Sequence, residues 1–376
     1  MNKYYYQKRF WLLFISTFIC YAPPCFSKNL SVDVTGSIIT AFDDNITDIS
    51  KGRMADFVTN LETGLVLLQQ GKTHQLSLKG DLIEQIFAGH SNFDNFSEDL
   101  NLDYKQDLSK YDHMELTDVL SNADEPRTIE DAFGRSNGRY NILNNQTGLS
   151  FTHDFTEQIS TEVHYDNSVT HYSQNNFQSS VMQQGGFKVN YAYDTANSYN
   201  VTYDYIRRFF EHGESARINS VTPGIQHYFT SQFYINLAAG ADFINTFTDK
   251  NIIEPHFTAA LTDQVDQNTN LSWTFTKADT TDGYTQDLFN SWRTAFNLSK
   301  QISQRLSAST SIFYGQGRYD HIGVSQDLTG VQLQGTYALN KKTKLGVGYS
   351  FTDALSNNSN NAYVKNYFFV SITVLF

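Results

Sequence analysis

Tyr363-Val-Lys-Asn-Tyr-Phe-Phe-Val-Ser-Ile-Thr-Val-Leu-Phe376 closes the chain. Successive side chains of an extended strand point to opposite faces. Phe368, Val370, Ile372, Val374 and Phe376 therefore share one face, and Lys365, Tyr367, Ser371 and Thr373 share the other with Phe369 and Leu375. In water so apolar an edge strand invites aggregation. In a closed barrel within a bilayer it is paired on both sides and turns its apolar face to lipid. The segment predicts a transmembrane strand.

Working back from this end, the same alternation recurs. Leu61, Leu65 and Leu67 are followed by Leu76, Leu78 and Leu82, then by Leu100, Leu102 and Tyr104. Further on stand Phe187, Val189 and Tyr191, then Tyr199, Val201 and Tyr203, and Leu345, Val347, Tyr349 and Phe351. Period 2 sustained this far is a strand signal. Short turns fall near 71–72, 109–110, 156–157, 195–197, 230–231, 266–268, 303–304 and 340–342. Longer polar loops fall near 43–55, 89–97, 122–138, 174–180, 211–216, 248–251, 278–287, 316–326 and 354–362. Seventeen connections give eighteen strands, so the expected fold is an all-β, antiparallel, up-and-down transmembrane barrel of about 18 strands, with 16 as the alternative. Gly315-Gln316-Gly317 reads as a strand-to-loop glycine pair. A terminal aromatic residue on such a strand resembles the signal that delivers bacterial outer-membrane proteins to their assembly machinery, which assigns that role to Phe376.

The first residues read as an export signal. Lys3, Lys8 and Arg9 precede an apolar core from Phe10 to Tyr21, and Cys25-Phe26-Ser27 places small residues at −3 and −1 of a cleavage site. Residues 1–27 are thus expected to be removed, leaving 28–376 as a single outer-membrane β-barrel domain of a Gram-negative bacterium. Both cysteines precede that cut, so the remaining chain holds no thiol.

Composition agrees with a barrel. Mean hydropathy is −0.42, yet aromatic residues make up 15% of the chain. Alternating strands give that combination when one face meets lipid and the other water. The net charge of −12 argues against nucleic acid, whose phosphates need clustered Lys and Arg.

If Leu, Tyr and Phe face lipid, the alternate positions line the lumen. The candidate pore-lining residues are Glu62, Lys79, Asp81, Asp103, Lys105, Glu162, Lys188, Asp204, Arg208, Asp242, Arg293 and Arg305. Acids and bases among them nearly cancel, which predicts weak charge selectivity. Barrels of roughly 16–18 strands enclose an aqueous channel unless plugged. The first strand (residues 30–42) starts directly after the expected cleavage, leaving no N-terminal plug. A gate is then a loop, with 122–138 the first choice, or a partner. The loop acids Asp43, Asp44, Asp48, Asp124, Glu125, Glu130, Asp131, Glu211, Glu214, Asp279, Asp282 and Asp287 read as solvated surface that could hold divalent cations bridging lipopolysaccharide.

No HExxH, GxSxG, P-loop or dinucleotide motif is present. His90-Ser91 and His321 are not set beside an orienting acid by their spacing. Neither an enzyme nor a cofactor or metal site is expected.

The opening Gly36-Ser-Ile-Ile-Thr-Ala-Phe-Asp-Asp-Asn45, a first strand entering an Asp-Asp-Asn loop, resembles the start of the putative β-barrel porin 2 family. That resemblance implies an outer-membrane pore for exopolysaccharide or capsular polysaccharide. It also implies a periplasmic polysaccharide-export protein as partner, and it carries no catalytic residues. Unlike the basic lumen of alginate-type exporters, the mixed set here suits a neutral or weakly charged polymer. A general or small-solute porin is the alternative, and a structural or adhesion barrel is third.

Overall fold

The computed structural model describes residues 30–124, 139–174, 177–211, 216–245, 251–281 and 287–376. The expected export signal, residues 1–27, and most of loop 122–138 lie outside the described residues. The strands are β1 Leu30–Asp43, β2 Asp56–Gln70, β3 His74–Phe87, β4 Asn95–Asp107, β5 Asp112–Ala123 and β6 Ile142–Asp154. They continue with β7 Ile159–Tyr172, β8 Ser180–Ala192, β9 Asn197–Phe210, β10 Ala216–Tyr228, β11 Phe233–Asn245 and β12 Asn251–Asp266. The last six are β13 Thr269–Thr281, β14 Leu288–Gln301, β15 Leu306–Tyr319, β16 Ser325–Ala338, β17 Thr343–Ser356 and β18 Tyr363–Leu375. No α-helix occurs among the described residues.

Each strand pairs with its sequence neighbours, and β1 pairs with β18, so the 18-stranded sheet is closed. Closure leaves the sheet without an outermost strand, as a lipid-facing backbone requires. At the seam Ile38 stands opposite Ile372, and the Phe376 backbone N–H donates to the Val34 carbonyl at 2.9 Å.

Residues directly opposite on neighbouring strands share a face, so one strand orients all the others. Val32, Ile38 and Phe42 on β1 are exposed, as are Phe368 and Val370 on β18. Following the register from these places Leu61, Leu78, Leu102, Tyr165, Phe187, Tyr203 and Leu237 on the outer, convex face. Aromatic residues sit on that face near both ends, for example Tyr191, Tyr199 and Phe233 at the short-turn end and Phe42, Phe57 and Phe96 at the loop end. That pair of girdles marks the bilayer interfaces.

All eight short turns fall where the punctuation places them, and side chains help to close seven of them. Asp194 takes the backbone N–H groups of Ala196 and Asn197, and Asn340 takes those of Lys342 and Thr343. These local side-chain-to-backbone bonds end a ladder. The long loops are shorter than the composition suggests at two places. β13 runs to Thr281, and β15 and β16 continue through much of 316–326. The glycine pair is therefore strand interior rather than a strand end. Gly317 is needed there because the Phe289 ring occupies the space a Cβ would fill, and Phe289 in turn packs on Tyr319.

Candidate functional site: the lumen and its extracellular mouth

The inner face changes character along the barrel. Towards the short-turn end it is polar, with Ser272, Asn297, Ser309 and Gln334 lining a cavity of about 540 Å³. Towards the loop end the inward residues bury one another. Ala295, Phe313, Leu328, Ala354 and Tyr363 form one cluster across β14–β18. Val58 and Phe87 form another with Ile46, and Tyr140, Ile142 and Phe177 a third. The wall is thus polar below and carries an apolar collar at the loop end.

Two segments lean over the mouth. Residues 44–55 fold inward, with Ile46 fully buried. Lys365 anchors this loop, its ammonium 3.0 Å from Asp43 and 3.1 Å from Asp48. The Asn45 side chain donates to the Val364 and Ile49 carbonyls, both at 2.9 Å. Arg139 stacks over Phe87 and donates to Gln85. The second segment is the tip of the β13–β14 hairpin. Pairing between β12 and β13 stops at Phe257–Lys277, whereas β12 continues to Asn251 against β11. Freed from β12, the tip turns inward: Leu288 joins inward-facing Ile218 and Ile244 in one buried cluster. Asn290 reaches Glu254 at 3.4 Å.

These contacts correct the view of the loop acids as solvated surface. Asp43, Asp48, Asp279 and Asp287 are all less than a tenth exposed. Asp43 and Asp48 hold Lys365, Asp44 binds the Asn366 backbone and amide, and Asp287 accepts the N–H groups of Leu288, His321 and Ile322. Glu125, Glu130, Asp131, Glu214 and Asp282 lie outside the described residues. Among the described residues no three acids or histidines converge as metal ligands.

The candidate pore-lining residues fall as follows. Registers place Glu62, Lys79, Asp81, Asp103, Lys105, Glu162, Lys188, Asp204, Arg208, Asp242 and Arg293 on the inward face. Lys105 meets Glu115 at 2.9 Å, His164 meets Asp204 at 2.7 Å, and His256 bridges Asp242 and Thr222 at 2.8 and 2.6 Å. Arg293 stacks over Phe313 at 5.0 Å. Arg305 is different: it sits in the short turn before β15, where Ser303 Oγ takes the backbone N–H groups of Arg305 and Leu306 and ends the strand. The charge balance also shifts. Asp33, Asp166, Glu254, Lys344 and Lys365, which the alternation also assigns to the lumen, face inward; Asp99 and Glu115 join the inward acids, and Arg305 leaves the wall bases. The wall is net acidic, so a weak preference for cations replaces the expected balance.

Sequence reasoning passed over Tyr367 and Phe369 as lumen residues with a role. Both face inward on β18, half-buried, with ring centroids 6.0 Å apart. The Phe369 ring lies across Gly348, whose missing Cβ leaves the wall low enough to receive it. Asn60, Glu62, Gln85, Gln332 and Ser350 line the same cavity of about 340 Å³. The signal available was the pair of aromatic residues on the otherwise polar side of the last strand. His90 also finds an acid the spacing did not show, with Nδ1 2.8 Å from Asp56. Among the described residues no hydroxyl bonds its other ring nitrogen.

A closed antiparallel barrel with an apolar band, two aromatic girdles and a polar lumen defines a porin-like outer-membrane β-barrel. Residues 247–376, from β12 to the C-terminus, match the model of the family described as putative beta-barrel porin 2. The matched segment is the opposite end of the chain from Gly36–Asn45. No curated protein matches the chain. Among solved structures, OccK2 (OpdF) of Pseudomonas aeruginosa, in complex with glucuronate, is 10% identical with TM-score 0.50, covering 92% of this chain and 98% of that one. The outer membrane protein opdK of the same organism is 9% identical with TM-score 0.50, covering 92% and 99%. The FrpB iron transporter of Neisseria meningitidis (F5-1 variant, apoprotein) is 10% identical with TM-score 0.48 over 88% of this chain. This chain covers 62% of that transporter's length. At these identities the likeness is one of fold.

Proposed function

We propose that this barrel is the outer-membrane channel through which a neutral or weakly charged exopolysaccharide or capsular polysaccharide is secreted. The observation that carries the reading is the inner wall around β18. Tyr367 and Phe369 present aromatic surface amid Asn60, Gln85, Gln332 and Ser350. A sugar ring has an apolar C–H face and a rim of hydroxyls, and this wall offers a partner for each: a ring face, with its negative quadrupole, for the first and amide or hydroxyl groups for the second. The net acidic wall disfavours a polyanion. In this reading a periplasmic polysaccharide-export protein delivers the polymer to the short-turn end, and the outer-membrane assembly machinery and lipopolysaccharide are the barrel's other partners.

The test is a Tyr367→Ala, Phe369→Ala double variant in a strain whose only copy of the barrel is the variant. Secreted polysaccharide should fall several-fold while folded barrel in the outer membrane stays constant. Unchanged secretion, or unchanged secretion after deleting the whole gene, would overturn the reading. The inward-folded loop 44–55 favours a small-solute porin as the second reading, since such a porin narrows its channel with a loop. Uptake of small solutes that falls on deletion, with polymer secretion intact, would support it.

A further inference from the structure

The outer face carries an anomaly at membrane depth. Asp118 lies midway along β5 and stands opposite Thr147, which stands opposite Asn167 and then Gln183; the row climbs towards the loop end and runs on to Arg207 near the end of β9. This row is outward: two residues along from Thr147 and Asn167 are Leu149 and Tyr165, both 47% exposed. Asn145 and Asn122 extend the same patch, on the outward parity of β6 and β5. Asp118 is partly satisfied within the chain, accepting from Asn145 Nδ2 at 2.9 Å and Thr147 Oγ1 at 2.7 Å. Among the described residues, Asn167 and Gln183 have no side-chain hydrogen bond.

Acyl chains offer neither donors nor acceptors, so a lipid-facing carboxylate with amides beside it is costly and does not stand on this face without a reason. Headgroups cannot supply the partners midway down β5, because they stop at the girdles. We infer that this strip of β5–β8 is an interface with a second copy of the same chain. The chemistry is self-complementary: each amide both donates and accepts, so a copy of the patch satisfies the patch. All copies insert with one orientation, and rotation about the membrane normal brings the strip to equal depth on both partners, as closed symmetry demands.

The experiment is cysteine cross-linking in isolated outer membranes, since the chain after residue 27 has no thiol. Asn167→Cys should give a disulfide-linked dimer on oxidation. Leu345→Cys, outward on β17 across the barrel, should remain monomeric. Heat-modifiable migration of the reduced samples verifies that both variants fold. A second measurement is the protein mass of the detergent-solubilised particle, expected to be a multiple of the monomer and to drop to the monomer in Thr147→Leu, Asn167→Leu. No adduct above the Leu345→Cys background, an adduct with a different protein, or a monomeric wild-type particle would each overturn the inference.

Discussion

Replacing Leu237 with Arg should cost the barrel about 2–4 kcal/mol, the range for a cation facing lipid at the bilayer midplane. The structure supplies the depth. Leu237 is on the outer face of β11, between Ile225 of β10 and Ala259 of β12, which is almost fully buried. A strand rises about 3.4 Å per residue and barrel strands tilt by about 40°, so each residue climbs roughly 2.6 Å. Leu237 then lies about 10 Å above Phe233 and about 15 Å below Phe243, inside an apolar band about 25 Å tall. The penalty corresponds to a fall of roughly 30- to 700-fold in the folded-to-unfolded ratio. The neighbouring Asn236 faces inward, opposite Gln226 and Ala260, and Asn236→Arg extends into water. Reversible urea unfolding from lipid vesicles measures both. Equal losses for the two variants, or a larger loss for Asn236→Arg, would refute the assigned facing, because a slip of one residue exchanges the faces.

Three further outcomes are expected. Deleting Phe376 should lower the amount of folded barrel in the outer membrane, both through the assembly role expected of a terminal aromatic residue and through the lost N–H bond to Val34 at the seam; unchanged levels on heat-modifiability gels would count against it. Lys365→Met should destabilise by about 3–5 kcal/mol, since it strips the shared cation from buried Asp43 and Asp48, and proteolysis within 44–55 on intact cells should rise; a protease-resistant loop of normal stability would show that Lys365 is not the anchor. In planar bilayers the wild-type channel should prefer cations weakly, and Arg208→Gln with Arg293→Gln should strengthen that preference, while Arg305→Gln, in the turn, should leave it almost unchanged. A shift from Arg305→Gln as large as that from the wall pair would contradict the placement of these groups.

Much of this barrel was legible in the chain itself. Alternation is a local property, so the facing of Leu61, Leu102, Tyr203 or Ile372 follows from neighbours two residues away, and turn chemistry at Asp194 or Asn340 is equally local. Strand number and the inward placement of eleven of the twelve candidate wall residues came from these two signals. What the sequence alone did not reveal depends on register and tilt, which relate residues far apart in the chain. Whether a loop acid is solvated depends on what folds over it, and Asp43 and Asp48 meet Lys365 only because β1 closes on β18. The β13–β14 tip turns inward because its pairing with β12 ends early. Asp118, Thr147, Asn167 and Gln183 form one outward row only once four strands are aligned. Each of these is set by the free energy of the closed sheet as a whole, where a side chain's surroundings come from strands that no short window of sequence contains.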